Sequence, residues 1–305
     1  MQKHLYNSDH SVITFATNKQ SYLELALNCA RSILLHNDIS IYIVSNLNFP
    51  IPDTLKNNVF ILPPLPGHAE MGIGMKLHID QYLQTTHSLF IDSDCLVYGS
   101  LNSIFEAAMG NDVSVAGNIT AAKNWCGHEQ AETIKQNFGV DDLIRYNGGL
   151  YYLKRSDTTT KIFDKARAIG QKYDDYGFDR IGKWINEEAP ISIAMMLDHQ
   201  KPIADDGQFM TDLFTDGRPN VLNVLTGDIK LENPAPPAPR HRPWYPAVYS
   251  PVILHFGGSS IKTYPYNAQV MLLKLNELQL PIWLSSLFVT IFYDIPYKSY
   301  YRLRK

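Results

Sequence analysis

Cysteine is scarce in this 305-residue chain: Cys29, Cys95 and Cys126 are an odd number, and no two stand at CxxC spacing. That argues against a disulfide framework and a thiolate zinc site, suits a reducing compartment, and makes the cytoplasm the expected location. An excess of one charge is also missing. With 27 basic and 30 acidic residues the formal net charge is −3, so no overall field draws DNA or RNA, and no nucleic-acid partner is expected. The nearest approach to a long apolar run, LQLPIWLSSLFVTIFY at 278–293, is interrupted by Pro281, Ser285, Ser286 and Thr290. It falls short of the ~18 clean apolar residues of a membrane span, and the opening MQKHLYNSDHSV has no apolar stretch of signal-peptide length. Neither an internal repeat nor an inter-domain linker is visible.

A hydrophobic content of 45% is enough for a sizeable core. Apolar, β-rich runs at 11–17, 39–45, 58–62 and 88–92 alternate with helical patterns at 21–36 and 75–85. A strand at 112–117, a polar segment to about 140, a strand at 147–154 and helices at about 157–170 and 187–197 follow. The proline-rich stretch NPAPPAPRHRPWYP (233–246) reads as a stiff extended loop before a strand-like run at 251–256. This order predicts an α/β fold, Rossmann-like, with a mostly parallel central sheet flanked by helices and a site beyond the carboxyl ends of the strands. Residues 1–280 form the expected main domain. A tail at 281–305 carries apolar residues at 283, 284, 287, 288, 291 and 292 beside Lys298, Arg302, Arg304 and Lys305. That pattern suits peripheral contact with an anionic membrane at its inner face; packing on the main domain or on a second subunit of a homo-oligomer is the equal alternative.

The most informative stretch is LFIDSDCLV (89–97), an apolar run interrupted by two aspartates. In extended backbone Asp92 and Asp94 point the same way and repel unless a cation lies between them. Mg²⁺ or Mn²⁺, hard ions that take oxygen ligands and share them with phosphate, are the expected cofactors. A solvated acidic turn is the plain alternative. Phosphatases of the haloacid-dehalogenase type also place such a pair after an apolar strand, but theirs opens the fold and is followed by threonine or valine, whereas Leu96 stands here.

Four motifs in order resemble glycosyltransferases of the GT-A fold, family 8 (glycogenin and bacterial galactosyltransferase-like): Lys76-Leu77-His78, then LFIDSDCLVYGSLNSIFE (89–106), YNGGLYYL (146–153) and VILHFGG (252–258). The resemblance covers most of 11–263. It implies a hexosyltransferase that moves a sugar from a nucleotide-diphosphate sugar, a UDP-sugar, to a glycan, glycolipid or protein acceptor with retention of configuration. It implies Asp92, Asp94 and His255 as metal ligands, with Lys76, Ser93, Gly258 and Lys262 around the diphosphate. Ala16, Thr17, Asn18 and Tyr22 would border the nucleotide, although Lys19 stands where the family has an acidic residue. Asn147 and Gly148 would face the donor sugar; by sequence alone Asn-Gly is a turn signal. Glu188, and after it Glu187, would be the acceptor-side acid, and helix-dipole pairing would equally place glutamates in a first turn. Ser21 as a helix cap competes with a nucleotide role for this turn. A nucleotidyltransferase, or a non-catalytic sugar-nucleotide binder on the same fold, are the other readings; the first lacks a glycine-rich basic signature in FATNKQSY.

Overall fold

The computed structural model describes residues 4–5, 9–213 and 218–303; Arg304 and Lys305 of the expected basic tail lie outside the described residues. Apart from a two-residue pairing of 4–5 with 37–38, the strands are β1 (His10–Phe15), β2 (Ser40–Val44), β3 (Val59–Leu62), β4 (His87–Ile91), β5 (Cys95–Val97), β6 (Val113–Ala121), β7 (Asp142–Lys154), β8 (Ile203–Ala204), β9 (Met210–Asp212), β10 (Arg218–Asn223), β11 (Asp228–Glu232), β12 (Val248–Tyr249) and β13 (Ile253–His255). The helices are α1 (Gln20–His36), α2 (Asn102–Ala108), α3 (Lys123–Phe138), α4 (Asp157–Gln171), α5 (Glu188–Leu197), α6 (Tyr266–Glu277), α7 (Ile282–Val289) and α8 (Ile295–Arg302).

The central seven-stranded sheet has the order β8-β6-β7-β4-β1-β2-β3. All its strands run parallel except β7, which is antiparallel to both neighbours. Neighbouring residues of one strand enter opposite cores, as the two-residue period of a strand dictates. Val12, Leu89 and Ile91 join α1 residues Leu23 and Ile33 in one core. Ile13 and Phe90 join Tyr151, Phe163 of α4 and Ile191 of α5 in the other. Both faces are covered, which is why these strands read as continuous apolar runs. A second sheet, β9-β13-β5, and a hairpin sheet, β10-β11-β12, form the remaining side.

The expected α/β order is therefore present, with four local departures. The segment expected as a helix at 75–85 is a 3₁₀ segment, Ala69–Tyr82, broken at Gly72 and His78. Gly72 has φ 57°, and a Cβ there would lie 2.5 Å from Cδ2 of Trp184, so only glycine fits. The polar stretch before 140 is α3, bent at Gly127 (φ 81°), with Ile134 as its wholly buried residue. Strand 147–154 begins earlier, at Asp142, and residues 266–277 form α6. The tail is helical, α7 and α8 being joined by a π-turn at Thr290–Asp294.

Candidate active site

β4 ends at Ile91, and its parallel neighbour β1 ends at Phe15, so Asp92–Asp94 and Ala16–Asn18 leave the sheet along the same edge. β7 supplies the opposite wall through an irregularity. Its ladder with β6 pairs Tyr146 with Gly117 and Tyr151 with Val115, so four residues, Asn147 to Leu150, stand opposite Ala116 alone. Asn147-Gly148-Gly149 is thus a bulge inside a strand, and both sequence-level alternatives for it, turn and strand, hold part of the answer. The bulge faces the aspartates: the Asp92 amide donates to the Gly149 carbonyl at 3.0 Å.

The third wall comes from β13. It pairs antiparallel with β5, setting His255 opposite Cys95, and parallel with β9, setting His255 opposite Asp212. The imidazole Nε2 lies 3.1 Å from Asp94 Oδ1 and 4.0 Å from Asp92 Oδ2, and Nδ1 is 3.9 Å from Asp212 Oδ2. Asp212 Oδ2 accepts from Asn147 Nδ2 at 3.0 Å, and Asn147 Oδ1 accepts from the Gly149 amide at 3.0 Å. Asp212 was missed in the sequence because MTD carries no pattern; only the strand pairing brings it to His255.

Lys76 ties the aspartates to the glutamates. Its ammonium, nearly buried, donates to Asp92 Oδ2 at 2.7 Å and to the Gly148 carbonyl at 2.8 Å, and lies 3.3 Å from Glu187 Oε1. Glu187, 2% exposed, also accepts from the Tyr151 hydroxyl at 3.0 Å. Glu188 takes the Gly148 amide at 2.9 Å. Gly148 is required in this packing, since a Cβ there would fall 2.4 Å from Glu187 Oε1.

Burial disfavours charge throughout the cluster, and local partners decide each outcome. Burial pushes the Asp92 carboxyl up, against the pull of Lys76. In Asp94 burial is outweighed by His255, which holds it below the usual carboxylate range. His255 itself, depressed by burial, is raised by Asp94 and then Asp92 to about 9. Lys76 stays charged because Asp92 and Glu187 overcome its burial. Burial and then Glu187 push Glu188 up to about 7. Among the described residues, four carboxylates (Asp92, Asp94, Asp212 and Glu187) surround two cations (Lys76 and His255), so the cluster favours further positive charge.

The ligand atoms of Asp94, Cys95 and His255 lie within 4.8 Å of one another. The Cys95 thiol is wholly buried, and burial followed by Asp94 and Asp92 pushes its pKa well above 9.0. It stays protonated and is a poor ligand for a hard cation. The carboxylate of Asp92 is the better third donor.

Of the other residues singled out in the sequence, Ala16 to Tyr22 lie at the turn from β1 into α1. Ala16 is buried, its amide bonded to the Val44 carbonyl at 2.9 Å, and half-buried Thr17 follows. Asn18 has φ 67° and exchanges hydrogen bonds with Asn46, its amide giving 2.8 Å and its Oδ1 accepting at 2.9 Å. Tyr22 is exposed on the first turn of α1, under the Lys19 ammonium. That helix begins at Gln20 with Lys19 at the cap position and no side-chain cap bond, so Ser21 is not its cap. Ser93 is half-buried between the aspartates, Gly258 is exposed with φ 64°, and Lys262 is exposed at the end of a 3₁₀ turn, Gly258–Lys262. A cavity of about 540 Å³ adjoins the cluster through Asn147, Glu188 and Asp212.

No protein-family model matches the chain, and no curated protein matches it. Among solved structures it is similar to the glycosyltransferase GlyE of Streptococcus pneumoniae TIGR4, at 16% identity over 64% of this chain and 44% of that one, TM-score 0.41. It is similar to the galactosyltransferase LgtC in complex with donor and acceptor sugar analogs, at 15% identity over 81% of this chain and 87% of that one, TM-score 0.49. Mouse xyloside xylosyltransferase 1 is similar at 12% identity over 67% of this chain and 88% of that one, TM-score 0.44. The chain spans about half the length of GlyE, 44% of one GlyE structure and 54% of another.

Proposed function

We propose that this chain is a metal-dependent hexosyltransferase of GT-A type, moving a sugar from a UDP-sugar to an acceptor hydroxyl with retention. The observation that carries the reading is the convergence of Asp92, Asp94 and His255 from segments more than 150 residues apart. Asp92, Asp94 and His255 would hold a hard Mn²⁺ or Mg²⁺ through two carboxylates and one imidazole, whose Nε2 lies 3.1 Å from Asp94 and 4.0 Å from Asp92. Nε2, the ring nitrogen that faces both aspartates, would be the ligand atom. A bound ion would neutralise the charge of the departing diphosphate. It would also take over the charge balance that the His255 proton provides among the aspartates.

The chain's own residues supply the rest. Lys76 holds Asp92 in position and presents positive charge at the donor side. Asn147, braced by Asp212, and the bare Gly148 form the wall for the sugar. Glu188 faces the cavity and suits the acceptor-side acid; Glu187, locked by Lys76 and Tyr151, supports the wall from behind. Ala16, Thr17, Asn18 and Tyr22 border the nucleotide, with Ser93, Gly258 and Lys262 near the diphosphate. Residues 1–280 form the catalytic unit. Trp283 (68% exposed) and Phe292 (61% exposed) project from the tail and rest on a membrane surface; no described helix is long and apolar enough to cross one.

Thermal unfolding with UDP-sugars, with and without Mn²⁺, tests the reading. A UDP-sugar stabilises the protein only when Mn²⁺ is present, and Asp94→Asn abolishes that gain. Stabilisation of equal size without metal overturns the proposal.

A further inference from the structure

The 540 Å³ cavity is acidic and amide-lined where it adjoins the aspartate cluster, at Asn147, Glu188 and Asp212, groups that accept hydrogen bonds from sugar hydroxyls. It merges, through Arg145, Arg242 and Trp244, into a second concavity of about 410 Å³. That outer concavity is closed by Pro239, His241 and Pro243 and is lined by no carboxylate. Arg145 is exposed, and no ion pair with another described residue engages it. The Arg242 guanidinium lies 5.5 Å from the centre of the Trp244 ring, which is 46% exposed and offers a flat apolar face. The His241 ring is held by its nitrogen Nδ1 on the Pro234 carbonyl at 2.8 Å. In a chain of net charge −3 this outer mouth is a local feature, built by the end of one strand and the proline-rich loop.

Resting on the transferase reading above, we infer that the acceptor is an acidic glycan: its accepting sugar enters beside Asn147 and Glu188, and a carboxylate or phosphate next to it is bound by Arg145 at the mouth, beside Arg242. Guanidinium forks match the planar carboxylate and the tetrahedral phosphate equally well, so the shared chemistry is an anion attached to sugar. Trp244 supplies the stacking face for the ring.

The test uses the full chain with Mn²⁺, UDP-glucose, UDP-galactose and UDP-N-acetylglucosamine as donors, and hexosides in matched neutral, uronate and 6-phosphate forms as acceptors. At least one charged form is used with kcat/KM about tenfold or more above its neutral partner, as a charge-assisted contact supplies. The preference shrinks as salt is raised from 50 to 500 mM. It drops to within about threefold in Arg145→Ala, chiefly through KM, and partly returns in Arg145→Lys. Whether the uronate or the phosphate arm responds tells which anion is meant. Preference for the neutral forms, a preference that survives Arg145→Ala and Arg242→Ala, or failure to use any member while the donor is still hydrolysed to UDP overturns the inference. Absence of both transfer and donor hydrolysis in the unaltered protein overturns instead the reading on which it rests.

Discussion

Replacing Lys76 by methionine tests the electrostatics of the site directly. The side chain keeps its length and loses only the ammonium that stands 2.7 Å from Asp92 and 3.3 Å from Glu187. At an effective dielectric of about 20 those pairs carry gross attractions of about 6 and about 5 kcal/mol. Desolvation of three nearly buried ions cancels much of this, so the pairs add little net stability, but leaving two carboxylates without their counter-charge costs about 3–5 kcal/mol. The melting temperature of Lys76→Met accordingly falls by roughly 10 °C. Glu187→Gln in the same background removes one orphaned charge, so the double variant is more stable than the sum of the two single changes by about 1–3 kcal/mol. Urea denaturation of the four proteins measures that coupling. A loss below about 1 kcal/mol for Lys76→Met, or strict additivity in the cycle, refutes the picture of a lysine clamped between two carboxylates.

Glu188 gives a pH dependence of defined sign. Its pKa rises from 4.5 to about 7 in the fold; the folded state therefore holds the proton more tightly, and this group's contribution to stability declines as pH rises from about 4.5 through about 7. In Glu188→Gln that portion of the slope is gone, which a series of thermal melts between pH 4 and 8 detects as a difference between the two proteins. Gly148→Ala forces a methyl against Glu187, 2.4 Å from Oε1, displacing it from Lys76 and Tyr151. Its expected cost is about 2–3 kcal/mol with loss of most transfer activity, measured by urea melts and UDP release. Serine at Trp283 and Phe292 together lowers co-sedimentation with phosphatidylglycerol vesicles several-fold and leaves binding to phosphatidylcholine low throughout.

Much of the framework was legible because two-sided burial leaves an unmistakable mark. β2 is apolar from Ile41 to Val44 and β4 from Leu89 to Ile91, and the aspartates follow where such a strand must leave the core. His255 could be singled out by its place between an apolar run and paired glycines. What escaped notice had physical reasons. α3 rests on the protein by a narrow stripe around Ile134, so its sequence is polar nearly all round. The segment 75–85 carries a helical pattern, yet Gly72 and His78 leave the helical region and break 69–82 into 3₁₀ turns, a departure that a count of apolar positions does not register. Asp212 owes its position to pairing between strands over 40 residues apart, and nothing local in MTD records that partner. The roles of Glu187 and Glu188 were ambiguous for a related reason: adjacent residues at a helix start face different neighbours, and only the fold shows that Lys76 and Tyr151 hold one while the cavity receives the other.

The four-against-one mismatch in β7 limits how this molecule can change. Pairing on either side of it fixes Tyr146 and Tyr151 in register, so a residue removed or added within the paired stretch 150–154 would invert every side chain after it across the sheet. Length variation is closed to that half of the strand. Descendants of the sequence can change it only by point replacement, whereas the bulge and the proline-rich rim, held by no ladder, can lengthen or shorten.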